Sequence, residues 1–413
     1  MFRHNLILIL RTFKRNKSSF FLNLIGLSTG LACAILIFLW VNDELNFDKF
    51  HEKDSQLFQV MQNWKTSKSI DTFEGTPGPL PETLVKEMPE VEYAAAVFDA
   101  SIWGIPTISV KGKYIKAHCL YVDKDFFNIF SFNITGGRAD HVLTNKNSMV
   151  ISEDLALKLF STTENLIGKE IEFNNNTFLI SGIFEDIPSH STLQFDFVVM
   201  YDLLKEGNPR SFYDWSNNAA NTYVILKHDT DIKQFNDKIS GLIERKNGDS
   251  FRTLFVRPYS DNYLYGTYQN DKQAGGRIEY VKLFSIIAIF ILIIACINFM
   301  NLSTARASRR IKEIGMKKAL GSDRKVLGSS AFGIVYLLSG DFTKIVLASI
   351  FISLPVSYFI AKLWLDSFAN RIDLHIWYFI GAGLITLFIA WITVGIQAIK
   401  AARINPIESI RYE

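Results

Sequence analysis

The first stretch whose residue types could do chemistry is Gly26-Leu27-Ser28-Thr29-Gly30, which fits the G-x-S-x-G spacing of a hydrolase nucleophile elbow. That chemistry needs a strand-to-helix turn and His and acid partners, yet here the pattern sits inside a long uncharged apolar run. In that setting Gly26 and Gly30 form a small-x-x-x-small face suited to close helix packing. The histidines, His4, His51, His118, His141, His190, His228 and His375, have neither H-E-x-x-H spacing nor cysteine partners, so they imply no metal and are expected at the surface or in turns. Cys33, Cys119 and Cys296 are too scattered for a disulfide framework and read as small buried hydrophobes. No G-x-x-x-x-G-K-[ST] loop occurs, so the chain has no cradle for a nucleotide's phosphates. No cofactor is expected on the chain itself, and any ATP chemistry must come from a partner.

The richest polar stretch is Arg309-Arg310-Ile311-Lys312-Glu313-Ile314-Gly315-Met316-Lys317-Lys318-Ala319-Leu320-Gly321. Ile311, Ile314 and Lys318 share a helical face, Glu313 can pair with Lys317, and Gly321 suits a helix C-cap. A merely basic flank has no need of Ile311, Ile314, Met316 and Leu320, so the pattern predicts a helix that docks on a partner. The candidate contacts are Arg309, Arg310, Lys312, Glu313, Ile314, Gly315, Lys317, Lys318, Leu320 and Gly321.

The elements that position these residues are membrane spans. The chain has 413 residues, of which 48% are hydrophobic and 21% charged, and the apolar residues gather in blocks. A run of about 20 apolar residues crosses a hydrocarbon core of about 30 Å. Spans are expected at 20–41, 281–304, 345–365 and 376–399. The first runs directly into Asn42, Asp43 and Glu44 without a cleavage site, which favours an uncleaved anchor over a signal peptide. Arg3, Arg11, Lys14, Arg15 and Lys17 precede it, a basic segment at 305–329 follows the second span, and Lys400, Arg403 and Arg411 occupy the tail at 400–413. The positive-inside rule then puts both termini and the 305–329 segment in the cytoplasm and the short 366–375 loop outside. Residues 1–19 read as an interfacial helix on the inner leaflet, in contact with lipid. A net charge of only +3 gives no support to a nucleic-acid partner.

Roughly 235 residues at 42–280 separate the first two spans, far too many for a loop. Strand patterns over Ile108–Val110, Ser148–Ile151, Glu170–Phe173, Phe178–Phe184 and Thr222–Lys227 alternate with helical ones over Pro81–Glu87, Glu153–Phe160 and Ile232–Lys246. Ser152 is placed to cap the second helix, and Asn174-Asn175-Asn176 reads as a hairpin turn. The fold class is therefore a membrane protein of four transmembrane α-helices with a mixed α+β extracytoplasmic domain.

The string from Arg309 to Gly321 resembles the cytoplasmic coupling segment of MacB/FtsX permeases. Similar matches run along most of the chain: Asn23-Leu24-Ile25-Gly26-Leu27, Val122 to Phe127, Val150 to Glu153 through Lys158-Leu159-Phe160, Ile167-Gly168-Lys169, and the ending Ala401 to Arg411. The resemblance implies the permease subunit of an ABC-type exporter or extractor in a bacterial inner membrane, with the large domain periplasmic. It also implies a separate ABC ATPase that seats on the coupling helix and binds the ATP, a homodimer or pseudo-dimer, and a periplasmic adaptor as a further partner. Mechanotransmission of ATPase motion to the periplasmic domain would move a peptide, lipid-linked or amphipathic substrate. An FtsX-like signalling protein that regulates an extracytoplasmic partner is the other implied function. One departure is the tandem of Lys318-Ala319-Leu320-Gly321-Ser322 with Lys325-Val326-Leu327-Gly328-Ser329, which fits either an internal deletion that joins the front of one four-span module to the back of another or a local duplication.

Overall fold

A computed structural model of the chain describes residues 17–138, 141–295 and 297, with 347, 350–363 and scattered positions between 376 and 392. The chain divides into two compact units, Glu44–Tyr280 and a second made of Met1–Asp43 with Val281–Glu413.

In the second unit, helix α1 (Lys17–Leu45) and a helix over Ile278–Ala295 are the two described helices long and apolar enough to cross a membrane, with mean hydropathies of 1.3 and 2.4 over their best windows. Ile350–Leu363 is a shorter apolar helix. Leu31 and Ile35 of α1 are buried with Phe379, against Ile350 and Leu354. Ser353, Ser357 and Ala361 form a buried small-residue stripe, and the Ser357 hydroxyl bonds back to the Ser353 carbonyl at 2.6 Å. Stripes of this kind let helices approach closely where lipid offers no hydrophobic drive between them. The outward faces carry Ile289, Phe290, Phe351, Phe359, Trp377 and Phe388, all exposed, which in water would be an unprotected apolar surface. Trp40 meets Phe284 edge-on at 5.0 Å, and deeper in the same antiparallel helix pair a Cβ on Gly30 would lie 2.6 Å from the Cβ of Ala295. A Cβ on Gly26 would meet nothing within 4 Å.

The Glu44–Tyr280 unit is built on a fourteen-stranded mixed sheet. Its main path runs β14 (Arg252–Pro258), β1 (Leu57–Lys65), β13 (Ala220–Leu226), β4 (Val91–Asp99), β7 (Cys119–Val122), β12 (Phe197–Met200), β9 (Ser148–Ser152), β11 (Asn176–Phe184), β10 (Glu170–Phe173), β5 (Thr107–Val110) and β6 (Lys113–Lys116). Pairing is antiparallel except between β9 and β11 and between β7 and β12. The middle strands read Cys-Leu-Tyr-Val, Phe-Val-Val-Met and Ser-Met-Val-Ile-Ser because both faces are covered. Tyr121, Met149, Ile151, Phe197 and Val199 feed one core, while Leu120, Val122, Val150, Val198 and Met200 alternate into another, rich in phenylalanine. A third core unites Phe58, Val60, Val224 and Val256 with helix α2 (Leu80–Glu87) and with the helices over Ile232–Ser240 and Leu242–Asn247.

Several sequence expectations hold at the residue level. The Ser152 hydroxyl accepts from the Leu155 N–H at 3.1 Å and caps Glu153–Phe160, and Asn174 and Asn175 take φ of 48° and 62° in the hairpin turn between β10 and β11. Two readings are corrected. The single helix expected over Ile232–Lys246 is broken at Gly241, which leaves the helical conformation while the buried stripe Phe235, Ile239, Leu242, Ile243 continues across the break. The strand expected to reach Lys227 ends at Leu226.

The Gly30 contact generates a paired prediction. Gly30→Val should destabilise the purified protein by about 1–3 kcal/mol through overpacking, and Gly26→Val by no more than about 0.5 kcal/mol. Thermal unfolding in detergent, followed by tryptophan fluorescence, reads the difference; equal effects would mean that the close approach at Gly30 is not used.

Candidate functional site

The chain enters the Glu44–Tyr280 unit in the last turn of α1 and leaves it in the first turn of the apolar helix that begins at Ile278. These connections are joined to each other. The Arg277 guanidinium donates from Nη2 to Glu44 Oε1 at 2.7 Å and from Nε to Oε2 at 3.1 Å, a bidentate pair across 233 positions of sequence. Fork-on-fork geometry of this kind fixes orientation as well as distance. Glu44 is buried, whereas the Arg277 side chain is half exposed, so solvent screens the attraction to about 1 kcal/mol.

Aromatic stacking extends the pair into the domain. The Arg277 guanidinium carbon lies 4.6 Å above the Tyr263 ring, and the other side of the stack is Phe47, whose ring is 3.6 Å from that of Tyr263 and tilted by 7°. Tyr263 sits on the short helix over Asp261–Leu264, directly after β14. Arg277 is delivered to this place by Gly275 and Gly276, with φ of 100° and 143°. A Cβ on Gly276 would lie 2.6 Å from the Leu264 carbonyl oxygen, so only glycine lets the chain turn this close.

The strap that follows α1 is pinned by a second set of polar contacts. Asp48 has φ of 60° and is fully buried; it accepts from the Thr192 N–H at 2.6 Å and from the Thr192 hydroxyl, while its own N–H donates to the His190 carbonyl at 2.8 Å. Burial pushes the Asp48 carboxyl above its ordinary range, opposed by the Thr192 hydrogen bonds. His51, expected from sequence at the surface or in a turn, is instead buried among Phe50, Phe130, Phe132 and Tyr259 at centroid distances of 4.1–5.5 Å. The correction has a plain cause: neutral imidazole packs well against phenylalanine rings, and its Nδ1 accepts from the Ser131 N–H at 3.2 Å. Burial pushes its pKa down to about 4. Among the described residues its Nε2 has no hydrogen-bond partner.

Of the residues singled out from sequence, Gly26 and Gly30 lie on α1 as described above. Arg309, Arg310, Lys312, Glu313, Ile314, Gly315, Lys317, Lys318, Leu320 and Gly321 lie outside the described residues, as do the tandem repeat and the interfacial segment before Lys17. Sequence reading named Glu44 only as a flank of the first span and passed over Asp48, Tyr263 and Arg277. A signal existed for the first and last: an acid at the end of one apolar run and Gly-Gly-Arg at the start of the next are opposite charges at equivalent ends of two neighbouring spans. The described residues hold no group of three His, Cys, Asp or Glu side chains that could bind a metal ion.

Two predictions follow from these contacts. Arg277→Ala leaves the buried Glu44 carboxylate unpaired and should destabilise the domain by about 1–3 kcal/mol, more than Glu44→Gln, and the exchange of both residues (Glu44→Arg with Arg277→Glu) should recover part of that loss; a thermal-melt double-mutant cycle measures it, and additive losses would deny the pairing. For His51, the unfolded chain binds a proton below about pH 6.5 that the folded residue refuses until about pH 4. Its contribution to stability therefore falls as pH drops through that window, by about 3 kcal/mol at most, and levels off below it. Asp48 acts in the opposite sense, so the reading is a difference: melts of wild type and His51→Gln between pH 7 and pH 4 should converge as the pH falls.

Comparison with known proteins accounts for both units. Residues 20–242 match the family model for the MacB-like periplasmic core domain, and residues 285–406 match that for the FtsX-like permease C-terminal region. Two Bacillus subtilis proteins, each named an uncharacterized ABC transporter permease, are similar: YvrN at 27% identity and YknZ at 24%, each alignment covering 71% of this chain and 69% of the relative. Among solved structures, a domain of a putative permease protein from Porphyromonas gingivalis aligns over 51% of this chain and 93% of its own length, at 19% identity and a TM-score of 0.44. The periplasmic region of MacB from Actinobacillus actinomycetemcomitans aligns over 51% and 91%, at 15% identity and 0.38. With the periplasmic-core match spanning more than half of its residues and the permease match covering most of what remains, the chain belongs to the MacB/FtsX family of ABC transporter permeases.

Proposed function

We propose that this protein is the permease subunit of an ABC-type exporter or extractor, and that it works by mechanotransmission. In this reading the chain crosses the membrane four times, at 20–41, 281–304, 345–365 and 376–399, with both termini cytoplasmic and the 42–280 domain periplasmic. A separate ATPase docks on the segment around Arg309–Gly321, and its ATP-driven dimerisation moves the second span. Two permease chains, or a pseudo-dimer, complete the assembly. The substrate is a peptide, lipid-linked or amphipathic molecule handled on the outer side rather than threaded between the spans.

The observation that carries this reading is the Glu44–Arg277 pair. A domain hung on two independent tethers would let the helices slide past each other beneath it. A domain whose entry and exit are clasped by a bidentate ion pair, with the arginine stacked on Tyr263, gives such motion one shared point of attachment. The Asp48–Thr192 contact then passes the displacement from the strap into the sheet connections. Mechanotransmission needs a two-state element that a distant ATPase can bias, and this reading assigns that role to the pair, which is clasped in this structure.

Co-purification of the protein with ATPase subunits encoded in its own genome tests the assignment. Wild type should retain an ATPase, whereas Glu313→Ala and Gly315→Arg, still inserted in the membrane, should lose most of it. Failure of every ATPase to associate, or equal retention by the variants, would remove the transporter reading.

A further inference from the structure

The two ends of the large sheet are treated differently. At one end β14 is covered: the Asn236 side chain, on the helix over Ile232–Ser240, accepts from the Val256 N–H at 2.8 Å and occupies the strand's free edge. At the other end β6 is followed by no further strand among the described residues, so its outer row of N–H and C=O groups is unpaired by the sheet. Exposed edges of this kind pair with other chains unless they are blocked.

The surface around β6 is neither bland nor wholly repellent. Lys111 and Gly112 form a tight turn with φ of 49° and 83°, joining β5 to β6, and Lys111, Lys113 and Lys116 are exposed. Among the described residues none of the three is matched by a carboxylate; Lys113 donates to the Lys158 carbonyl. Tyr114 between them is 72% exposed. At the foot of the hairpin, where the Ala117 N–H donates to the Pro106 carbonyl at 3.0 Å, the loop before β5 presents Ile102, Trp103 and Ile105, exposed by 68%, 65% and 44%. Trp103 is held in place rather than free, its ring 4.7 Å from Phe98, and the space beside Gly104 is open. Fixed, exposed aromatic and branched side chains beside an unpaired strand edge have the composition of a binding surface.

We propose that β6 and the Ile102–Ile105 loop receive an extended acidic segment of a partner protein, which adds to the sheet as a strand. Charge chooses the occupant. A second copy of this chain is disfavoured, because antiparallel self-pairing sets Lys113 opposite Lys116 and parallel self-pairing sets each lysine beside its twin. Successive residues of β6 point to opposite faces, so a segment that alternates Asp or Glu with apolar residues meets Lys116 with its acids on one face and lays its apolar side chains toward Trp103, Ile102 and Ile105 on the other, with Lys111 in the turn near its end. An anionic lipid surface could meet the lysines but makes no use of the backbone edge. This inference does not depend on the permease reading.

The probe is a labelled synthetic peptide of about ten residues that alternates Glu with Val and Tyr, titrated against the full-length protein in nanodiscs of neutral lipid. Its controls are a Lys-for-Glu version of the peptide and separate vesicles containing phosphatidylglycerol. The acidic peptide should bind, the basic one should not, and the combined Lys111→Glu, Lys113→Glu, Lys116→Glu variant should bind the acidic peptide at least about ten-fold more weakly while gaining the basic one. Trp103→Ser should weaken acidic-peptide binding without altering its salt dependence, and unchanged melting temperatures show that both variants are folded. Equal binding of the two peptides, binding unaffected by charge reversal, or capture of the vesicles in place of the peptide would overturn the proposal.

Discussion

A buried glutamate at the end of one apolar helix cannot stand alone, and the position of nearly everything at the base of the domain follows from how Glu44 is satisfied. Its carboxylate requires a donor, which reaches it from the other end of the Glu44–Tyr280 unit. Arg277 meets that need with two hydrogen bonds, and the geometry of a planar guanidinium then dictates the rest. The arginine must arrive from a turn tight enough to bring it alongside, which is why Gly275 and Gly276 precede it, and its face must rest on something flat, which is Tyr263 backed by Phe47. The pair itself is worth little in net stability because Arg277 is half solvated. Its importance lies in specificity: breaking it strands a buried charge.

Above this base the domain is stiff for ordinary reasons. Strands buried on both faces tie two cores together residue by residue, and the phenylalanine-rich core beside the strap includes Phe126, Phe130, Phe132, Phe184 and Phe195. Packing of this density does not deform continuously. A displacement delivered at Glu44 and Asp48 would therefore move the sheet as a body, which is what the proposed mechanotransmission asks of this domain. The unpaired edge at β6 lies on this rigid body, so any partner held there would be carried with it.

Local chemistry made much of the fold legible in the sequence. Ser152 ahead of Glu153 and Asp154, and the asparagine run at 174–176, declared a cap and a turn because their side chains and backbone preferences act within a few residues. Strand β1 gave a weaker signal, since Leu57 to Gln62 are buried throughout and show no alternation. The break at Gly241 was hidden because the apolar stripe runs straight across it. His51 was misjudged since nothing adjacent in sequence reveals the phenylalanines that surround it. The clasp was missed for a related reason. Glu44 and Arg277 are 233 positions apart, and only the pairing of two helices brings them together.

In the proposed mechanotransmission the clasp makes both helices act on the domain as one. Hydrogen exchange on the full-length protein bound to its ATPase, with and without a non-hydrolysable ATP analogue, tests it most directly. In wild type, protection of residues 46–52 and 259–277 should change together on nucleotide binding, and in Arg277→Ala the change should persist in one segment and vanish in the other. If both segments respond in the variant as they do in wild type, or neither responds in wild type, the clasp does not transmit motion.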